Sequence, residues 1–129
     1  MKQHDATHLS VTIRNEGSVV ILDMHGRWMR EITDINRNVL LEVVADLLEK
    51  GARSFVLNLS QLSYVESIGL GFLTTTDKKI KELGGKLLLC LPQPRVLELF
   101  QLTHLDFAYT IYNDETAAIR AATSNSAKP

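Results

Sequence analysis

Few side chains in this chain could do chemistry, and their spacing excludes most of what they could do. Ser67 follows Glu66 and precedes Ile68, Gly69, Leu70 and Gly71, so a hydroxyl and a carboxylate stand beside two small residues. A nucleophilic serine needs a base to take its proton. No motif ties any of the four histidines (His4, His8, His25, His104) to Ser67, and its flanks are not the G-x-S-x-G turn of a nucleophile elbow. The histidines lack metal-ligand spacing, and with one cysteine the thiolates for a structural zinc are missing. Gly69 and Gly71 make a G-x-G without the longer spacing of a phosphate-binding fingerprint. These residues point to a binding surface, with no catalytic centre, metal or cofactor. On its own, Ser67 reads first as a helix N-cap, a place serine often takes.

A second group stands out. Gly26-Arg27-Trp28-Met29-Arg30 puts Trp28 and Met29 where an apolar strand ends and no helix has begun. Trp28 is either a lid on the core or an exposed anchor, since Trp, Met and Arg are enriched at interfaces.

Changes of hydrophobic period give the elements that must position these groups. Residues 9–13 alternate apolar and polar, Asn15-Glu16-Gly17 is a turn, and residues 19–24 form a second strand, so the chain opens on a hairpin. A helix starting at Thr33-Asp34 carries Val39, Leu40, Val43, Val44, Leu47 and Leu48, and stops at Gly51. Residues 54–59 form a third strand, and a second helix runs from Ser67 to Gly84-Gly85. Its sheet-facing stripe is Gly69, Phe72, Leu73, Thr76, Ile80 and Leu83; Ser67, Gly71, Thr74 and Lys78 face solvent, with Ile68 and Leu70 on the flanks. Residues 86–91 are a fourth strand, 94–102 a short amphipathic helix and 107–112 a fifth strand; Asn113 or Asp114 caps a last helix through Ile119.

The order β-β-α-β-α-β-α-β-α predicts a single α/β domain with a mixed, mostly parallel five-stranded sheet and right-handed crossovers, its helices mainly on one face. Residues 9–122 form that domain, and 1–8 and 123–129 are expected to be flexible ends. Parallel strands put their C-terminal ends on one rim, where function gathers. The segments after strands two, three and four (25–31, 60–67 and 92–95) should meet there.

Composition narrows the partners. A formal charge of -1 gives no reason to expect nucleic acid or anionic lipid. No apolar run reaches membrane-spanning length, and the opening residues lack the apolar core of a signal peptide. Cys90 cannot form an internal disulfide, and within Leu87-Leu88-Leu89-Cys90-Leu91 it reads as a small buried hydrophobe. A reducing compartment, the cytoplasm, is the expected location.

Residues 57–71, Leu57-Asn58-Leu59-Ser60-Gln61-Leu62-Ser63-Tyr64-Val65-Glu66-Ser67-Ile68-Gly69-Leu70-Gly71, resemble the signature segment of STAS domains in anti-sigma-factor antagonists. There a hydrophobic-Asp-Ser-Ser/Thr-Gly-Leu stretch follows the third strand and opens the second helix. Leu83-Gly84-Gly85-Lys86-Leu87 and Pro94-Arg95-Val96-Leu97-Glu98-Leu99-Phe100 match the family's habit, and the element order agrees over nearly the whole chain. The resemblance implies a bacterial regulator whose Ser67 is phosphorylated by a serine kinase that doubles as the anti-sigma factor. The unphosphorylated form binds that kinase and frees the sigma factor; a metal-dependent serine phosphatase restores it. The contact surface so implied comprises Glu66, Ile68, Gly69, Leu70, Gly71 and Thr74; position on the rim adds Trp28 and Met29, within reach of the Ser67 end of the second helix.

The chain departs from the pattern at Glu66, where Asp is usual, and at Ile68, where a second hydroxyl is usual. The family also often has Gly-x-Leu-Asp where this chain has Gly26-Arg27-Trp28-Met29, so the carboxylate is missing at Met29. A second reading is a STAS subunit with a constitutive structural role in a signalling or lipid-transport complex, where Ser67 only caps a helix.

Overall fold

The structure, a computed structural model, describes residues 8–30, 34 and 36–124. Its elements are β1 (Leu9–Glu16), β2 (Val19–Trp28), α1 (Val39–Glu49), β3 (Ser54–Val65), α2 (Ser67–Glu82), β4 (Lys86–Cys90), α3 (Pro94–Leu102), β5 (Ile111–Tyr112) and α4 (Glu115–Thr123). This is the element order expected from the sequence. The five strands lie side by side in chain order, β1 antiparallel to β2 and each later pair parallel.

Strands inside such a sheet are covered on both faces and read as continuous apolar runs. In β2, Val20, Leu22 and Met24 join the larger core, whereas Val19 and Ile21 point to the other face. The larger core packs sheet residues Phe55, Leu57 and Leu59 against Leu40, Val44 and Leu48 of α1, Leu70, Leu73 and Ile80 of α2, and Val96 and Phe100 of α3. On the opposite face α4 packs the small residues Ala118 and Ala122, with Ile119, against Val19, Ile21, Val56 and Cys90.

Several boundaries differ from those the pattern predicts. Helix α1 begins at Val39 rather than at 33–34: Asn38 is the N-cap, its Oδ1 accepting from Leu41 N–H at 3.0 Å while its Nδ2 donates to the Phe72 carbonyl at 3.1 Å. Asp34 instead accepts from Asn36 N–H at 3.2 Å and so shapes a turn ahead of the helix; Thr33 lies outside the described residues. Strand β5 is only Ile111–Tyr112, because the chain after α3 satisfies its backbone in successive turns, among them Leu105 N–H to the Phe100 carbonyl at 2.8 Å and Ala108 N–H to the Leu105 carbonyl at 3.0 Å. Phe107, read as strand, is 83% exposed. Helix α4 is capped by Asp114 as expected, through a 2.7 Å bond from Ala117 N–H, but continues past Ile119 to Thr123. The expected flexible ends fall mostly on residues 1–7 and 125–129, outside the described ones.

Candidate partner-binding site

The rim at the C-terminal ends of β2 and β3 differs most from the sequence reading, because both strands run beyond the places where their alternation breaks. On β3 the break comes from extra residues. Asp23 pairs with Asn58, His25 with Gln61, Gly26 with Leu62 and Arg27 with Tyr64, so β3 bulges twice against β2. Each bulge has a local side-chain bond. Asn58 Oδ1 accepts from Ser60 N–H at 2.9 Å, and Ser63 Oγ donates to the Gly26 carbonyl at 3.0 Å. Strand β4 pairs with β3 only as far as Cys90 opposite Asn58. Beyond that point Gln93 Nε2 donates to the Ser60 carbonyl at 2.7 Å, and β2 and β3 continue as an arm, flanked by β1 as far as Gly26, that ends at Trp28 opposite Val65.

Helix α2 leaves the tip of this arm directly. Glu66 is extended (φ -94, ψ 165) and holds the N-cap position, so Ser67 is the first helical residue and not the cap. The Glu66 side chain makes no capping bond; its Oε1 instead accepts from Arg30 N–H at 3.4 Å, while Glu66 N–H donates to the Trp28 carbonyl at 3.0 Å. These two bonds fasten the end of β2 to the start of α2. Behind them Trp28 is 3% exposed and belongs to the main core. A Cβ on Gly69 would lie 2.7 Å from Val65 Cγ2 and 3.1 Å from Trp28 Cγ, so the first turn of α2 rests on the indole only because residue 69 is glycine.

The expected contact residues therefore separate into two sets. Ser67, Gly71 and Thr74 are exposed; Glu66, Ile68 and Met29 are half-buried at the rim. Trp28, Gly69 and Leu70 are buried, which removes them from any surface a partner could touch, and Trp28 is the core lid rather than the anchor. Leu70 lies beneath the helix because the α2 stripe is rotated toward Gly69, Leu70, Leu73, Asp77 and Ile80. Leu83, placed on the stripe from the sequence, is 44% exposed and Phe72 is half-buried.

A shallow groove of about 410 Å3 opens beside Ser67, lined by Arg30, Tyr64, Val65, Glu66, Ser67, Ile68 and Leu99. Tyr64 and Leu99 were not among the expected site residues. Tyr64 sat in a presumed loop, and Leu99 read as ordinary core in the apolar face of α3. The Arg27 guanidinium stacks 4.6 Å over the Tyr64 ring. Among the described residues Arg30 has no ion pair, so the groove has a cationic lip and one carboxylate, Glu66. No group of three or more His, Cys, Asp or Glu among the described residues could hold a metal ion. No helix among them is long and apolar enough to cross a membrane.

A second polar cluster ties α4 to the opposite face. Arg14 on β1 pairs with Asp23 through Nε at 2.6 Å and also with Glu115 of α4, while Asn58 Nδ2 donates to Glu115 Oε2 at 2.7 Å. The Arg14 bond, then the Asn58 bond, hold the Glu115 carboxyl below the usual carboxylate range against the opposing effect of its burial. Cys90 is buried on this face, and its thiol is pushed up to about 12, first by burial and then by Glu115 and Asp23. That protonated thiol is an inert core group, as its apolar surroundings suggested.

A domain with this sheet order and an exposed serine on the first turn after a central strand defines a class of small α/β modules. Residues 10–118 match the STAS domain family, and the chain belongs to it. It is 31% identical over 90 residues to BtrV of Bordetella bronchiseptica, covering 70% of this chain and 78% of that protein. It is 25% identical over 112 residues to an anti-sigma F factor antagonist of Paenibacillus polymyxa, covering 87% and 93%. An anti-sigma factor antagonist from Mycobacterium paratuberculosis shares the fold with a TM-score of 0.76 at 18% identity, over 92% of this chain and 97% of that one. The Bacillus cell fate determinant SpoIIAA, in its phosphorylated form, shares it with a TM-score of 0.63 at 18% identity, over 87% and 99%. These homologues and fold neighbours are thus named as anti-sigma factor antagonists.

Proposed function

We propose that this protein is an anti-sigma-factor antagonist with no catalytic activity of its own, a binding module for an anti-sigma factor that is also a serine kinase. Unphosphorylated, it sequesters that partner and so releases a sigma factor. Phosphate on Ser67 blocks binding, and a metal-dependent serine phosphatase restores it. The observation that carries this reading is Ser67 itself, exposed on the first turn of α2 beside an open groove.

The physical argument is one of cost. A phosphoserine carries roughly -1.5 to -2 charges at neutral pH. Exposed on the free domain it stays hydrated, and the positive end of the helix favours it. At an interface packed over Ile68 and Leu99 it would have to shed water without a matched group on the docking protein, at a cost of several kcal/mol. The surface offered for docking is Ser67, Ile68, Gly71 and Thr74 with Glu66 and Met29 at the rim. The direct test is the intact mass of the protein taken from the cells that make it, before and after phosphatase treatment. One phosphate, mapped to Ser67 and removed by the phosphatase, is expected. Protein that is unmodified at Ser67 under all growth conditions would favour a constitutive structural role in a larger assembly.

A further inference from the structure

We infer that Arg30 is the group on this domain that takes up the phosphate of Ser67, so that the modified serine is held by the protein's own rim. The inference rests on the reading of Ser67 as a phosphorylation site and specifies how the modified state is built.

Three observations carry it. Arg30 and Ser67 line the same open groove. The Arg30 backbone is fixed there by its N–H bond to Glu66 Oε1, so the residue is anchored while its exposed side chain has no ion pair among the described residues. The neighbouring guanidinium, that of Arg27, is already stacked on Tyr64, which leaves Arg30 the freer of the two. A guanidinium presents a planar fork of donors that matches phosphate oxygens, and its long stem can swing toward a group across a shallow groove.

The consequence reaches the partner. A guanidinium beside an unmodified serine is an exposed cation on the docking rim, available to a carboxylate of the bound protein. Once Ser67 is phosphorylated, the same guanidinium is occupied from within. Phosphorylation then changes the rim twice, adding negative charge and withdrawing the positive charge of Arg30.

The test uses the full chain with phosphoserine installed at position 67 during translation, so it does not depend on whether any kinase modifies the protein in cells. The second ionisation of the phosphate, ordinarily near pH ~6, is followed by 31P NMR in the wild-type background and in Arg30→Gln. Arg120→Gln, on α4 across the sheet, serves as the control. An adjacent guanidinium favours the dianion and should lower that pKa by about one unit. Arg30→Gln should return it toward the value of a phosphoserine peptide, Arg30→Lys should retain part of the shift, and Arg120→Gln should leave it in place. Far-ultraviolet circular dichroism checks that each variant is folded. A pKa lowered equally in wild type and Arg30→Gln would mean that the helix end alone holds the phosphate, and would overturn the inference. A pKa matching the free peptide in both would overturn it as well.

Discussion

The indole of Trp28 lies directly under the α-carbon of Gly69, so close that a single added carbon there would come within 3.1 Å of Trp28 Cγ. This contact joins the end of β2 to the first turn of α2 and sets the height at which Ser67 leaves the sheet.

Because Trp28 is a core residue at the base of the site, Trp28→Ala should destabilise the domain by about 3–5 kcal/mol, the range for truncating a large buried aromatic. Urea denaturation followed by circular dichroism measures this directly. A loss under ~0.5 kcal/mol, the size usual for surface positions, would show that the indole does not support the helix.

Two glycines two residues apart should respond with opposite signs. At Gly69 a methyl group would press 2.7 Å from Val65 Cγ2, so Gly69→Ala should cost about 1–3 kcal/mol, as overpacking does. At Gly71 nothing lies within 4 Å, so Gly71→Ala should raise stability, by up to ~1 kcal/mol from helix propensity. Thermal melts of both variants decide the matter; equal shifts would mean that the helix sits farther from the indole.

The legible part of this architecture was what periodicity encodes. Strands β2 and β4, helix α3 and the start of α2 at Ser67 follow from apolar runs, a 3.6-residue stripe and a proline at a helix start. The arm formed by the ends of β2 and β3 was not legible, because two bulges insert residues that break the two-residue alternation after Leu59 and so make a strand read as a loop. That error hid Tyr64 as a site residue, and with the arm unread Trp28 stayed open between core lid and surface anchor. The capping role given to Ser67 failed for a related reason: β3 runs straight into α2, so the extended residue at the junction is Glu66. The α1 start was misplaced because Asp34 and Asn38 both have N-cap chemistry, and only the bond from Asn38 to the Phe72 carbonyl, a tertiary contact, favours the later one.

Helix α4 should loosen in acid. Arg14 and Asn58 depress the Glu115 carboxyl on folding. A group with a lowered folded pKa adds stability above its unfolded pKa, and loses it as pH falls through the folded value. The anchoring of α4 is therefore complete at neutral pH and fails below the ordinary carboxylate range. Cys90 beneath α4 reports this. Its reaction with 4,4′-dithiodipyridine, relative to a cysteine peptide at the same pH, should accelerate on acidification, and Glu115→Gln should show faster reaction already at pH ~7. Identical profiles for the variant and wild type would mean that Glu115 does not hold the helix.

The central claim, that Ser67 is a switch on a docking surface, is tested most directly by titrating the anti-sigma factor with the unmodified protein, the phosphoserine-67 form and Ser67→Ala. Since Ser67 is the first helical residue and not the cap, Ser67→Ala should fold with a stability within ~0.5 kcal/mol of wild type. It should bind as the unmodified protein does. The phosphorylated form should lose about two orders of magnitude or more in affinity, the equivalent of about 3 kcal/mol or more for burying a charge that the docking protein does not match. Equal affinities for all three forms would contradict the account and leave Ser67 an ordinary residue on the first turn of a helix.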